Sequence, residues 1–295
     1  MKPIKLTNGQ IEEICKLAQD QRRILGFMNE APIANDLFTI LENLNIHLLQ
    51  YPISSVSDRP AFSAVLLYLC EEGKELVFVG VNTADYFDKQ IFAIAHELYH
   101  YFTKTGTHLS RLDMEDDEYN LIESKANRFA AEFLLPESQL REIIQAEFRD
   151  ASLKLISIKT IQRFIARLQC TWWLPYRSLV RRLHEIDAIT ESQYEELYEL
   201  SERDLQSEYG KIGLAINAET FRKLNRRTEE VGTSPQGIEY IIRNFEDHLI
   251  SEDTFAETLQ LFNRTPSDFG YEIIVEDEDL DDPMYFPRQE DMDEG

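Results

Sequence analysis

The chain has 295 residues, of which 43% are hydrophobic, and a formal net charge of -24. This length suffices for two domains with separate cores, and the strong negative charge disfavours binding to a nucleic-acid backbone. The N-terminus lacks the apolar core of a secretion signal, the longest apolar run (64–70) is too short to cross a membrane, and three scattered cysteines indicate reduced thiols, so we expect a cytoplasmic protein without membrane spans.

The region ahead of residue 85 predicts two helices followed by three strands. Thr7 to Gln10 has the pattern of a capping box, and a second amphipathic helix is predicted from about Ile33 to Leu44. Apolar runs at 46–51, 62–69 and 75–81 predict strands, the last two joined by a turn at 71–74. We interpret these strands as a small antiparallel sheet, with His47 as a packed or surface histidine.

A predicted helix then carries the sequence His-Glu-Leu-Tyr-His at residues 96–100. His96 and His100 lie one turn apart on the same face, so both rings can reach one metal ion, with Glu97 beside it. Asp85 or Asp88 is the expected N-cap of this helix, and Gly106 is its expected stop. Two histidines and a carboxylate predict a zinc hydrolase, which needs a third protein ligand and an open position.

The third ligand is expected in the next amphipathic segment, which Pro136 ends. Glu123 is the predicted oxygen ligand, and Asn127, one turn later, is the predicted hydrogen-bond partner of a ligand histidine, expected to be His96. A surface role for Glu123 and a solvated role for Asn127 are the alternatives.

The two segments His96-Glu-Leu-Tyr-His100 and Glu123-Ser-Lys-Ala-Asn-Arg-Phe-Ala-Ala-Glu-Phe-Leu-Leu-Pro136 resemble the ImmA/IrrE metallopeptidase family, whose second motif reads approximately E-x-x-A-N-x-F-A-A-x-L-L-x-P. The resemblance covers roughly residues 30–190. One departure is Tyr99, where many members carry a small residue, so its ring must be housed by neighbouring side chains. The resemblance implies a zincin-like α+β fold: the small antiparallel sheet plus the zinc-site helices, followed by helical domains.

The mechanism implied is metal-assisted amide hydrolysis, with Zn²⁺ held by His96, His100 and Glu123 and with Glu97 as the catalytic base. An exposed edge strand of the sheet would hold an extended protein substrate through backbone hydrogen bonds. A further donor to the oxyanion is expected. It is not assigned, because the flanking candidates are better interpreted as packing or surface residues: Tyr86, His108 and Tyr119.

The segment from about Ser152 to Ile189 is locally basic and predicts two short amphipathic helices on either side of residues 170–175. It resembles the helix-turn-helix-like segment that follows the peptidase core in ImmA/IrrE proteins. Such a segment could read DNA, but packing on the peptidase or docking a substrate is favoured, because the net charge of -24 repels a polyanion. Three aromatic residues are expected in its core, although they could also anchor a partner: Trp172, Trp173 and Tyr176.

The remaining chain is predicted to be helical up to about Phe269, with amphipathic stretches at 221–231 and 238–262 separated by residues 232–235. Residues 272–295 hold eleven carboxylates and one arginine, a charge of 1 - 11 = -10, and predict a disordered, solubilising tail. Occupation of the basic segment by this tail, anchored by residues 284–286, is the alternative.

Four domains are therefore expected: a metallopeptidase domain (1–150), the helix-turn-helix-like segment (151–190), a helical domain of unassigned role (191–271) and the acidic tail (272–295). The family resemblance implies an endopeptidase that cleaves a helix-turn-helix repressor to control transcription in a stress response or mobile element. The alternative is a regulatory protein that retains the fold but acts without proteolysis, through its helical region, on DNA or a protein partner.

Overall fold

The computed structural model describes residues 4–54, 62–71, 74–105 and 117–272. Within these ranges the chain forms two short 3-10 helices, Ala34–Asp36 and Pro266–Phe269. The strands are β1 (Ile46–Tyr51), β2 (Ala64–Glu71), β3 (Lys74–Asn82) and β4 (Gly232–Thr233). The α-helices are α1 (Asn8–Ile24), α2 (Leu37–Asn43), α3 (Phe87–Thr103), α4 (Asp117–Leu134), α5 (Glu137–Phe148), α6 (Ile158–Trp172), α7 (Tyr176–Glu185), α8 (Glu191–Tyr198), α9 (Glu208–Leu224), α10 (Pro235–Glu246) and α11 (Glu252–Gln260).

The chain divides into two compact units, residues 1–237 and 238–295. The first unit holds the whole sheet and helices α1 to α9. The second has a small aromatic core, in which the rings of Phe245 and Phe255 stack with centroids 4.2 Å apart and Tyr271 packs edge-on against both. The four predicted domains stay predictions, and the acidic tail after Glu272 lies outside the described residues.

The sheet is mixed, with strand order β2-β3-β1-β4. β2 and β3 form an antiparallel hairpin, but β1 runs parallel to β3, with Ile46 opposite Val77. The prediction of a wholly antiparallel sheet is therefore wrong. Its physical reason lies in the chain path: β3 returns from the hairpin into the space between β1 and β2, so the strand that pairs with β1 points the same way.

The far edge of the sheet is covered by β4, which pairs antiparallel with Leu49 and Gln50 of β1. The residues of β4, Gly232 and Thr233, belong to the stretch 232–235, which the sequence analysis interpreted as a separator between helices. The hydroxyl of Thr233 also donates to the Leu48 carbonyl at 2.8 Å. The opposite edge of the sheet is β2, which pairs with β3 along its length.

Helix α3 packs between α4 and the inner face of the sheet. Ala126 and Ala130 of α4 are fully buried, and their small side chains allow close approach of the two helices. The ring of Tyr99 is buried against Phe129, with centroids 5.7 Å apart, so the family departure at residue 99 is accommodated by packing. Burial of a phenylalanine such as Phe129 contributes about 1.5–3 kcal/mol to the stability of this interface.

The capping box predicted ahead of α1 is confirmed, because Thr7 and Gln10 bond reciprocally. The predicted cap of α3 is wrong: its N-cap is Tyr86, which makes no side-chain cap bond. Asp88 is instead fully buried, 2.9 Å from Arg203 Nη1, and accepts a hydrogen bond from Gln169 at 3.0 Å. Lys104, in the left-handed conformation, ends the helix, and Gly106 lies outside the described residues.

The helix-turn-helix-like segment consists of α6 and α7, and its three aromatic residues are buried as predicted: Trp172, Trp173 and Tyr176. Most of the lysines and arginines between Ser152 and Ile189 form ion pairs with carboxylates, so less of their positive charge is free to face a polyanion. These pairs are Lys154–Asp187, Lys159–Glu208, Arg167–Glu147, Arg177–Glu202 and Arg182–Glu132.

The three cysteines of the chain are all unpaired thiols. Burial raises the pKa of Cys15, and it raises the pKa of Cys170 to about 11. Cys70 is exposed near the end of β2. In the part of the chain that the structure describes, no helix has the length and apolar character needed to cross a membrane.

Candidate metal centre

Helix α3 places the two histidines of the HExxH sequence on one face. Their Nε2 atoms are 3.2 Å apart, and their ring centroids are 5.1 Å apart. His100 is buried and His96 is partly buried, so the pair lies at the boundary between the core and the protein surface. This arrangement follows directly from the i, i+4 spacing of the residues on a rigid helix.

Glu123 reaches the same point from α4. One carboxylate oxygen lies 3.2 Å from His96 Nε2, and the other lies 3.3 Å from His100 Nε2. Three atoms that bind a tetrahedral zinc ion at 2.0–2.1 Å would be about 3.3 Å from one another. The two nitrogens and the Glu123 carboxylate, which contacts each nitrogen through a different oxygen, form a triangle of side chains with separations close to those around a zinc ion.

The chemistry of this triangle also fits a divalent metal. Two imidazoles and one carboxylate are a donor set found in catalytic zinc sites, which keep a fourth position for water or substrate. One possible ligand atom from each of the three residues lies within 4.8 Å of the other two. Their assignment as metal ligands, and that of Glu97 as catalytic base, stay predictions.

Each histidine has a second hydrogen-bond partner that orients its ring. Asn127 Oδ1 lies 3.2 Å from His96 Nδ1, which is the contact expected from the sequence. Thr105 Oγ1 lies 3.2 Å from His100 Nδ1, and it also bonds Thr103 Oγ1 at 2.7 Å. Partners at Nδ1 favour the tautomer that leaves the Nε2 lone pair directed at the metal position.

Glu97 lies beside the triangle and is held from the sheet. The backbone N–H of Leu66 on β2 faces its carboxylate and acts to lower the pKa of Glu97. Burial raises the pKa of Glu97, although the nearby His96 and His100 act in the opposite direction. A carboxylate with a raised pKa is suited to accept a proton and release it again near neutral pH.

In the absence of metal, the contacts between Glu123 and the two rings shift the pKa values of Glu123 and His96. Burial raises the pKa of Glu123, but the hydrogen bonds from His100 and His96 outweigh this effect and bring the pKa to about 2. Burial lowers the pKa of His96, yet its bond to Glu123 and the charge of Glu97 outweigh it, so the net shift is upward. In the absence of metal, these shifts favour the protonated form of His96 and the ionised form of Glu123.

The flanking aromatic residues do not yield an assigned oxyanion donor. Tyr86 lies at the start of α3, beneath the guanidinium groups of Arg203 and Arg227. Tyr119 lies one turn before Glu123, and burial raises its pKa, with Glu123 and Glu97 adding to the shift. His108 lies outside the described residues.

Two contributors to the site were missed by the sequence analysis: Thr105 and the Leu66 amide. Thr105 lies two residues after the end of α3, where helical periodicity no longer indicates which way a side chain points. The Leu66 amide carries no side-chain signal at all. The one signal in the sequence that could have indicated this contact is the predicted strand that lies ahead of the HExxH helix.

The fold and the site together define a mixed α/β protein with a two-histidine, one-glutamate candidate metal centre, the donor set of zinc hydrolases. Residues 70–184 match the family model Peptidase_M78, described as the IrrE N-terminal-like domain. The chain thus carries a peptidase-family domain, and the predicted ImmA/IrrE assignment is confirmed over that range, which includes all four candidate site residues. Searches of curated proteins and of solved structures gave no match.

Proposed function

We propose that the protein is a zinc-dependent endopeptidase. The observation that carries the proposal is the triangle of His96 Nε2, His100 Nε2 and Glu123, with separations of 3.2–3.3 Å, next to the carboxylate of Glu97. The peptidase-family domain at residues 70–184 supports the same reaction class. Zinc held by these three residues would supply Lewis-acid polarisation of the scissile carbonyl and of water.

Glu97 is the group that moves protons. Its carboxylate accepts one proton from the attacking water as the new carbon–oxygen bond forms, and it returns that proton to the amide nitrogen as the carbon–nitrogen bond breaks. The raised pKa of Glu97 matches both steps.

The edge strand β2 is positioned to bind an extended substrate. β2 is an edge strand of the sheet, and the Leu66 N–H on this strand faces Glu97, which supports binding of a peptide next to the proposed base. A peptide that adds to this edge as a further strand would lie across the site. Such binding favours unfolded or loop segments of a protein substrate.

The substrate proposed on family grounds is a helix-turn-helix transcriptional repressor, whose cleavage in the cytoplasm would change gene expression in a stress response or mobile element. A regulatory protein that acts without proteolysis is the second candidate. The observation that favours the second is the extensive helical region after residue 184, which the family match does not include.

The variant Glu97→Gln separates these candidates. We expect cleavage of a purified repressor encoded by a neighbouring gene to fall about 10²–10⁴-fold, because the base is lost, while zinc content per chain stays unchanged. Glu142→Gln, an exposed change on α5, serves as the matched control. If a Glu97→Gln variant that binds zinc but does not cleave the repressor still changed gene expression in cells, the non-proteolytic candidate would be supported instead.

A further inference from the structure

The proposed amide hydrolysis develops negative charge on the oxygen of the scissile carbonyl, and a hydrogen-bond donor next to the metal position would stabilise that charge. Such a donor must lie close to the ligands, must have no structural hydrogen bond to break, and must be open to solvent. Among the described residues, the charge of Glu97 helps to raise the pKa of two tyrosines, Tyr68 on β2 and Tyr119 on α4. Their surroundings decide which of the two can contact a substrate.

Tyr119 shares one face of α4 with Glu123. The two residues are four positions apart, which places their Cβ atoms about 5–6 Å from each other on an α-helix. Helical side chains lean towards the N-terminus, so the Glu123 carboxylate lies over the turn to which Tyr119 belongs. In agreement with this placement, the pKa of Tyr119 is raised by burial and then by the charge of Glu123. Tyr119 therefore flanks the metal position on the side of α4.

Tyr119 has no structural role among the described residues. It is partly exposed, it does not pack against the hydrophobic core of those residues, and its hydroxyl makes no hydrogen bond to any of them. Its raised pKa keeps the hydroxyl protonated at neutral pH. The hydroxyl can therefore donate to a ligand without breaking a contact of the described fold.

Tyr68 does not meet the same conditions. Its hydroxyl is buried, and within the described ranges it has no hydrogen-bond partner. The Lys104 ammonium group lies 5.2 Å from the centroid of its ring, and burial raises the pKa of Tyr68 to about 12, with Glu75 and Glu97 adding to the shift. Because a hydroxyl that is closed off from solvent does not reach a substrate, Tyr68 is a matched control for Tyr119.

We propose that Tyr119 donates a hydrogen bond to the oxyanion during amide hydrolysis, an inference that rests on the proposed peptidase function. The hydroxyl proton stays on Tyr119 throughout. The hydrogen bond strengthens as the carbonyl carbon becomes tetrahedral, and it weakens again when the carbon–nitrogen bond breaks. Because it is made to developing charge, this contact stabilises the transition state more than the bound substrate.

The first test compares Tyr119→Phe with Tyr68→Phe in the zinc-loaded, full-length protein, on the purified repressor encoded by a neighbouring gene. Tyr119→Phe should lower kcat about 10²-fold with KM and zinc affinity unchanged, because it removes a contact made in the transition state alone. Tyr68→Phe also removes a tyrosine hydroxyl near Glu97, but it should leave kcat unchanged. Equal kcat values for the two variants, or weaker zinc binding by Tyr119→Phe, would overturn the proposal.

A second test does not require cleavage. Acetohydroxamate is a small zinc chelator that places a charged oxygen next to the metal, and calorimetry measures its binding to the zinc-loaded protein. Its affinity should fall about tenfold in Tyr119→Phe, because a hydrogen bond to a charged oxygen is lost, and should stay unchanged in Tyr68→Phe. No binding to the wild-type protein, or equal affinity for wild type and Tyr119→Phe, would overturn the proposal.

The two tests separate this inference from the proposed function. If the wild-type protein cleaved the repressor and Tyr119→Phe cleaved it equally well, the inference would fail and the peptidase function would stand. If the protein cleaved no repressor but bound acetohydroxamate in a manner that depends on Tyr119, the result would support Tyr119 as the donor and would count against the proposed cleavage alone.

Discussion

Two carboxylates of α4, nine residues apart, have opposite environments. Glu123 faces two imidazoles, which can give up their protons and bind a cation with it. Glu132 faces the guanidinium of Arg182 at 2.6 Å, and both side chains are 1% exposed. A guanidinium keeps its proton, so this second cluster cannot become a metal site. Whether a buried glutamate can bind a metal or forms a structural ion pair therefore depends on its basic neighbour, and in particular on whether that neighbour can lose its proton.

The largest expected effects come from exchanging these two carboxylates for amides one at a time. Glu123→Gln should weaken zinc binding on the order of a thousandfold, because one of three protein ligands is lost. Competition with a chromophoric chelator would measure the affinity. An unchanged affinity would remove Glu123 from the ligand set.

Glu132→Gln should instead lower the free energy of unfolding by about 3–5 kcal/mol, because the buried Arg182 charge loses its partner. Urea unfolding of the metal-free protein measures this change, with the exposed Glu196→Gln on α8 as the matched control. Equal free energies of unfolding for the variant and its control would show that the Glu132–Arg182 pair does not stabilise the packing of α4 against α7.

A smaller effect is expected from the groups behind the histidines. Asn127→Ala and Thr105→Val should each weaken zinc binding about 10–100-fold, because the rings lose the partners that fix their tautomers. Lys125→Ala, on the opposite face of α4, is the control. The same chelator competition applies, and two variants with wild-type affinity would show that packing alone orients the rings.

The pH dependence of metal binding should also separate the two environments. In the metal-free protein, the raised pKa of His96 means that its protonation stabilises the fold below pH 6.5 and that this contribution is lost as the pH rises through the folded pKa. The lowered pKa of Glu123 gives stability above pH 4.5 that is lost towards about 2. This pair therefore stabilises the metal-free fold most between those two ordinary values.

Zinc must displace the proton on His96, so its affinity should rise with pH until that ring is neutral. Below the folded pKa we expect a decrease of up to about tenfold per pH unit. Asn127→Ala should move the decrease to lower pH, because the Asn127 bond helps to raise the pKa of His96. A zinc affinity that does not change between pH 5 and 8 would contradict competition between zinc and the His96 proton.

The smallest effect is expected in the helix-turn-helix-like segment. In the described part of the chain, Arg163 and Arg181 are the cations of α6 and α7 that lack a carboxylate within 4.0 Å. Replacing both by glutamine should not change the anisotropy of a labelled DNA duplex at physiological salt, because we expect the net charge of -24 to keep binding of the unmodified protein weak. Saturable, sequence-specific binding that these changes abolish would reverse this interpretation.

The parts of the structure that the sequence predicted well are local. The i, i+4 spacing indicated the face of α3, and the same rule placed Asn127 near His96. The capping box at Thr7 and the bounds of β1 were also predicted correctly. The capping box depends on residues within one turn, and β1 coincides with an apolar run.

The parts that were missed depend on distant residues. Apolar runs located β1, β2 and β3 but carried no information on which strands pair, so the parallel β1–β3 pairing was not foreseen. β4 is too short for any periodicity. Asp88 is a residue type that commonly caps helices, so the sequence predicted an exposed cap. Its burial depends on the ion pair with Arg203, which lies 115 residues later in the chain.

The solvent exposure of Cys70 gives the molecule a natural attachment point. Cys15 and Cys170 are partly buried and their raised pKa values keep them protonated, so a maleimide should modify Cys70 first. This thiol sits on β2, the strand proposed to receive the peptide. A fluorophore coupled there would report docking of a polypeptide in real time, in wild-type protein and without prior mutagenesis.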